Sequence, residues 1–274
     1  MNVKRILTTV VGLPLVVLFI IYANTLFMDI LLTIVALIAM HEYITCCSSK
    51  EEKVIKWIAY LSCFFILVFH MVPSMWYLIF ICGVPLLLII LFSHIIFTDG
   101  RITFPDVAVT LLGIIYVVGS IFFISLIFDM NHDAVLSGKY IIWYVMLAAW
   151  GTDIFAYIIG MKFGKHKFSK ISPKKSIEGC IAGVVATVII SLIYTYFINK
   201  NLGLNISLVI MGIISIVLSI VGQIGDFSAS TIKRYYGIKD YSNLFPGHGG
   251  MLDRIDSMMF IAPVTFLLFT LIIV

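Results

Sequence analysis

Near its C-terminus, between two hydrophobic stretches, the chain gathers Ser230, Thr231, Lys233, Arg234, Lys239 and Asp240, then Phe245-Pro246-Gly247-His248-Gly249-Gly250, then Asp253, Arg254 and Asp256. Charge at that density beside apolar sequence points to charged ligands handled at a membrane surface. Asp226, Asp253 and Asp256 are hard oxygen donors of the kind a divalent cation takes. Lys233, Arg234, Lys239 and Arg254 suit phosphate oxygens. Gly247, Gly249 and Gly250, following Pro246, make a turn whose backbone amides can approach a phosphate and donate to it.

Helical spacing decides which of these groups can act together. If the helix before the motif continues, Asp226, Ser230 and Lys233 fall at i, i+4 and i+7, a line of carboxylate, hydroxyl and ammonium leading out of the membrane. Asp253 and Asp256, at i and i+3, share a face of the following helix. Bringing the two faces together across the loop 235–250 makes a carboxylate cluster that repels itself when empty and is best explained by a bound cation. A generic basic loop would account for the lysines and arginines, but not for Asp226, Asp253, Asp256 and His248.

A second polar region lies upstream. Asp153, Tyr157 and Gly160, with Ala156 alongside, form a helix face of small and polar groups that should point inward. A basic loop from Lys162 to Lys167 follows, then Ile171-Ser172-Pro173-Lys174-Lys175-Ser176-Ile177-Glu178-Gly179. Ser172 then Pro173 is a helix-start signal, predicting a short interfacial helix whose free amides attract phosphate. Lys174, Lys175 and Ser176 are therefore candidates for substrate binding. The stretch Gly160 to His166 is not a phosphate-binding P-loop, because its glycine spacing is one short and His166 stands where Ser or Thr is needed.

These groups must be held by membrane helices. The chain is 62% apolar and 12% charged, against about 25% charged in soluble domains, so it cannot cover a water-facing surface. Apolar stretches recur near 6–23, 26–47, 54–72, 75–97, 106–128, 139–161, 180–198, 206–225 and 257–274, each about long enough to cross the hydrocarbon layer as a helix. The expected fold is an all-α integral membrane protein of about nine spans, the first two joined by a tight hairpin. Residues 6–23 lack a small-x-small cleavage site, so they read as a first helix and not a signal peptide. With the N-terminus inside, 16 of the 18 Lys and Arg residues fall on the cytosolic side, leaving only Lys139 and Lys200 outside. The polar site then lies at the cytosolic interface of a cell membrane. Membrane lipids are expected partners and nucleic acid is not.

Residues 1–138, about five spans, are nearly silent chemically; 139–274, about four spans, carry the chemistry, with the signature at 230–256. Inside the silent half stand Asp29, His41, Glu42, His70 and His94. The histidines read as caps or interfacial hydrogen-bonding groups. A carboxylate within a span is costly unless paired or hydrated, so Glu42 must face the protein interior or a wet cavity, in a functional role or a structural pair. The cysteines at 46, 47, 63, 82 and 180 form no C-x-x-C pair and read as small apolar fillers.

The gapless run 230–256 resembles the signature of the phosphatidate cytidylyltransferases, membrane enzymes that make CDP-diacylglycerol. The pattern from Asp153 through Ala156, Tyr157, Gly160, Phe163, Gly164 and Lys165, and that from Ile171 to Gly179, resemble the same family, extending the likeness over roughly 150–274. The resemblance implies CTP and phosphatidate as substrates and pyrophosphate as the second product. It implies that Asp226 and Asp253 hold a catalytic Mg²⁺ with Asp256 close by, and that Lys233, Arg234, Lys239, His248 and Arg254 belong to a polar active-site funnel. It also implies a homodimer. Ala182 departs from the family pattern, which often has a second glycine beside the one matching Gly183; helix packing is the expected consequence. A CTP-dependent polyprenol or lipid kinase, releasing CDP, is the neighbouring alternative. An ion-coupled transporter is the alternative of another class, but it would place carboxylates near the midplane in paired halves.

Overall fold

In the computed structural model the described residues are 14, 16–48, 53–69, 76–130, 136–168, 172, 175–245, 247 and 249–273. They are helical throughout their regular structure, as expected of a chain whose backbone must satisfy its own hydrogen bonds in hydrocarbon. Residues 16–22 are helical, and Asn24 caps the next helix, α1 (Thr25–Cys47), by accepting the Phe27 amide, which makes the tight connection expected between the first two apolar stretches. Next come two short helices, α2 (Lys56–Cys63) and α3 (Phe65–Phe69), then α4 (Trp76–Phe97). Five long helices follow: α5 (Phe104–Asp129), α6 (Gly138–Phe163), α7 (Ile177–Leu202), α8 (Leu208–Tyr235) and α9 (Leu252–Ile273).

Six helices among the described residues are long and apolar enough to cross a membrane: α1 and α5 to α9. The stretches read as separate spans at 54–72 and 75–97 yield shorter apolar helices, Lys56–Phe69 (α2 with α3) and Ile81–Phe97 within α4, and half of the first stretch, 6–23, lies outside the described residues. The protein is thus an all-helical membrane protein.

The chain forms two compact units. The first comprises residues 1–125 and 236–252, and the second 126–235 and 253–274. In the first, Tyr43 donates to the Val109 carbonyl at 3.0 Å, and a Cβ at Gly113 would strike the Tyr43 ring, so α1 and α5 pack through glycine against tyrosine. Phe122 meets Phe65 and Phe69 with ring centroids 5.1 and 4.7 Å apart.

In the second unit, a buried seam of hydroxyls joins three helices. Thr152 on α6 meets Thr187 on α7 at 3.0 Å and Ser219 on α8 at 2.6 Å. Such pairs satisfy polar groups that lipid cannot, and small side chains let the backbones close. A Cβ at Gly179 would lie 2.6 Å from the Ala156 carbonyl, and one at Gly183 2.8 Å from that of Thr152, so the glycines of this segment serve the α6–α7 contact. Both α5 and α6 widen to π-helical turns, at Ile114–Gly119 and Leu147–Gly151. The second ends just before Thr152 and Asp153, and such bulges often re-aim side chains at functional sites.

Candidate functional site

The helix of residues 208–235 continues unbroken past Asp226 to Tyr235, so Asp226, Ser230 and Lys233 do share one face. A Cβ at Gly225 would stand 2.8 Å from the Asp256 carbonyl, and one at Gly222 2.7 Å from Ile261 Cδ1, so α9 lies hard against α8 where the carboxylates begin. Lys233 Nζ meets Asp253 Oδ1 at 2.5 Å, with both residues buried. Lys175 forms an ion pair with Asp226. The carboxylates of Asp153, Asp226 and Asp256 are close enough for their charges to act on one another, and Lys175, Lys233 and Arg254 act on the same group.

Lys175 is held from two sides. Its ammonium sits 4.6 Å from the centre of the Phe227 ring, which stacks on Phe168 at 4.6 Å. Burial would lower its pKa, but the Asp226 charge and hydrogen bond, with the Asp153 charge, outweigh that and raise it above the ordinary lysine value. Lys175 is therefore a fixed cation.

The backbone around Lys175 differs from expectation. Helix α7 begins at Ile177 and is capped by Ser176, whose Oγ accepts the Gly179 amide at 3.1 Å; Ser172 lies in a bend, and Pro173 and Lys174 fall outside the described residues. Residues 175–177 pair instead with 166–168, through the Phe168 amide on the Lys175 carbonyl and the Ile177 amide on the His166 carbonyl, each at 3.0 Å. That pairing draws the chain extended through Ser176 and moves the helix start downstream. Glu178 in the first turn accepts from the His166 ring nitrogen at 2.7 Å.

Among the described residues no three His, Cys, Asp or Glu side chains converge closely enough to hold a metal ion as they stand. The chemistry of the donor set nevertheless fits Mg²⁺. Asp256 is only 7% exposed, faces two other carboxylates, and accepts the amide of its own neighbour Ser257 at 2.8 Å. A buried carboxylate in such company calls for a cation, and the ammonium of Lys175 already occupies that role beside Asp226.

Among the residues singled out from the sequence, the second unit gathers Lys175, Asp226, Lys233, Asp253, Arg254 and Asp256. Ser230 sits half-buried on α8, and Arg234 is exposed in its last turn. Lys239, Gly249 and Gly250 belong to the first unit, and His248 lies outside the described residues. Asp153 joins the charged group, though it and Tyr157 are exposed on α6 and not turned inward as their helix face was expected to be; no spacing rule links Asp153 to a carboxylate 73 positions away, at Asp226.

In the first unit the segment 236–252 folds back on Glu42. The Phe245 amide donates to the Gly249 carbonyl at 2.9 Å, closing a turn in which Gly247 and Gly249 adopt φ of 82° and 81°, a region other residues avoid. Glu42, 3% exposed, accepts from Ser242 Oγ at 2.6 Å and from the amides of Met251 and Leu252, each at 2.8 Å. The carboxylate of the apolar half is thus structurally paired.

Comparison with known proteins places the chain in a family. A family model described as the cytidylyltransferase family matches residues 3–272. The phosphatidate cytidylyltransferase of Thermotoga maritima is 32% identical over 271 residues, covering 97% of this chain and 95% of its own length. Those of Staphylococcus haemolyticus and Staphylococcus aureus are 34% and 33% identical over 176 residues, 64% of this chain. The chain spans 63% of the length of these two staphylococcal relatives.

Proposed function

The chain belongs to the cytidylyltransferase family, and from that premise we propose that it is a phosphatidate cytidylyltransferase, converting CTP and phosphatidate to CDP-diacylglycerol and pyrophosphate. The observation that carries the reading is the charged group of the second unit, where Lys175, Lys233 and Arg254 stand among Asp153, Asp226, Asp253 and Asp256 on and beside apolar helices.

A phosphate oxygen of phosphatidate attacks the α-phosphorus of CTP, a P–O bond forms, and the bond to the β-phosphate bridging oxygen breaks to release pyrophosphate. With its second pKa near 6, a phosphate monoester is already an anionic nucleophile at neutral pH. No serine or cysteine nucleophile and no strong base is needed. The task of the chain is positioning and charge neutralisation. Lys175, Lys233 and Arg254 offset the charge of two anionic substrates, while Ser176, Ser230 and Arg234 of the same unit complete the binding surface. Ser176, whose hydroxyl caps α7, serves by fixing the backbone beside Lys175. Mg²⁺, held by Asp226, Asp253 and Asp256, would supply neutralisation and orientation of the nucleotide phosphates.

Nine crossings with a cytosolic N-terminus keep 16 of the 18 Lys and Arg residues on the cytosolic face, where nucleotide arrives, while lipid enters from the bilayer. The family resemblance supports a homodimer, which light scattering of the detergent complex tests. The deciding experiment supplies purified protein with radiolabelled CTP, Mg²⁺ and either phosphatidate or diacylglycerol. A CDP-lipid and pyrophosphate from phosphatidate are expected; CDP released with diacylglycerol as acceptor would replace the reading with a lipid kinase.

A further inference from the structure

Helix α9 begins at Leu252, and the side chain of Met251 before it has no oxygen to accept an amide, nor have Gly249 and Gly250. The Met251 and Leu252 amides would be unsatisfied donors at a buried helix start. Glu42, over 200 residues earlier on α1, meets both: Oε1 takes the Met251 amide together with the Ser242 hydroxyl, and Oε2 takes that of Leu252. A negative charge at a helix N-terminus is also favoured by the helix dipole. Gly250 is required by this arrangement for space, since a Cβ there would collide with the Glu42 carboxylate.

Glu42 binds both ends of the glycine turn, Ser242 before it and Met251 and Leu252 after it. Leu244 in turn donates its amide to Ser242 Oγ at 3.2 Å, extending the clamp into the turn. The next residue after Leu252 is Asp253, whose carboxylate is held by Lys233. We infer that Glu42 is a positioning residue, clamping the turn 242–252 and capping α9 so that the backbone leading into Asp253 has one conformation. Its catalytic consequence rests on the cytidylyltransferase reading; the clamp itself does not.

The test compares the full-length parent, Glu42→Gln, Ser242→Ala and Asp29→Asn in detergent, measuring amide hydrogen exchange, melting temperature, and kcat and KM for CTP. Gln keeps the shape of Glu but has one acceptor oxygen and presents an NH₂ to donors. Loss of these charge-assisted bonds should speed exchange in 242–252 and lower kcat about ten- to a hundredfold, with KM changed by less than about threefold. Ser242→Ala should speed exchange in the same peptides by less. Asp29 is buried on the same helix and bonded to Ser125, so Asp29→Asn should lower the melting temperature without altering exchange in 242–252. Parental exchange in 242–252 for Glu42→Gln, or a kcat loss no greater than that of Asp29→Asn, overturns the assignment. Should Glu42→Gln not fold, unchanged exchange in Ser242→Ala overturns it instead. Should the parent make no CDP-lipid, the functional reading fails, and exchange still decides the clamp.

Discussion

Lys233 and Asp253 meet at 2.5 Å across the end of α8 and the start of α9, with side chains 10% and 4% exposed. Twenty residues separate them in the chain, and the contact makes each the other's counter-ion. Removing one partner of a buried pair leaves the other charge uncompensated, which costs more than the pair contributes. Lys233→Met should therefore destabilise the protein by about 3 kcal/mol. Lys233→Met with Asp253→Asn should recover much of that loss, a double cycle read from thermal melts in detergent. A loss in the double variant equal to the sum of the Lys233→Met and Asp253→Asn losses would show the pair to be uncoupled.

Lys175 carries a different prediction because it faces both Asp226 and the substrate side. Lys175→Ala should lower kcat/KM for CTP about ten- to a hundredfold, whereas Lys162→Ala, an exposed residue of the same basic region, should stay near the parent. The pKa of Lys175 is raised on folding, so its stabilising contribution is complete below the ordinary lysine value and is lost only as pH rises through the higher folded value. Activity and stability between pH 6 and pH 9 should accordingly show no limb that Lys175→Arg removes; the comparison of the two pH profiles tests it.

Metal dependence falls on Asp226 and Asp253. Asp→Asn at either should abolish Mg²⁺-dependent turnover and shrink the metal-induced rise in melting temperature, while Asp99→Asn, exposed in the turn after α4, should keep both. Near-parental turnover in either site variant would remove that residue from the metal assignment.

Packing supplies a prediction independent of activity. Gly179→Ala places a Cβ 2.6 Å from the Ala156 carbonyl and 3.0 Å from Gly160 Cα, both backbone atoms that cannot step aside. It should cost about 1–3 kcal/mol. Ala182→Gly, half-buried in the same helix, should cost only about 0.5–1 kcal/mol, as glycine does in a helix interior, and a larger loss there than at Gly179→Ala would show that the contact is not specific.

Composition and periodicity determined much about this protein by themselves. A chain that is 62% apolar has to be helical in lipid, and the i, i+4, i+7 spacing of Asp226, Ser230 and Lys233 required one face once α8 proved continuous. The positive φ of Gly247 and Gly249 bears out a turn read from glycine and proline alone. These features are local, so the sequence contains them. Other features depended on segments brought together from far apart in the chain. The short helix expected from Ser172 gives way at residues 175–177 to extended chain paired with 166–168, and α7 starts at Ile177; no local propensity reports such a partner. Asp153 joined the charged group, Lys175 became the counter-ion of Asp226, and Glu42 became the cap of a helix 210 residues away. A buried charge must find a partner, which the sequence could state for Glu42. Which partner it finds is settled by the packing of helices through their glycines and hydroxyls, and that is a property of the tertiary structure alone.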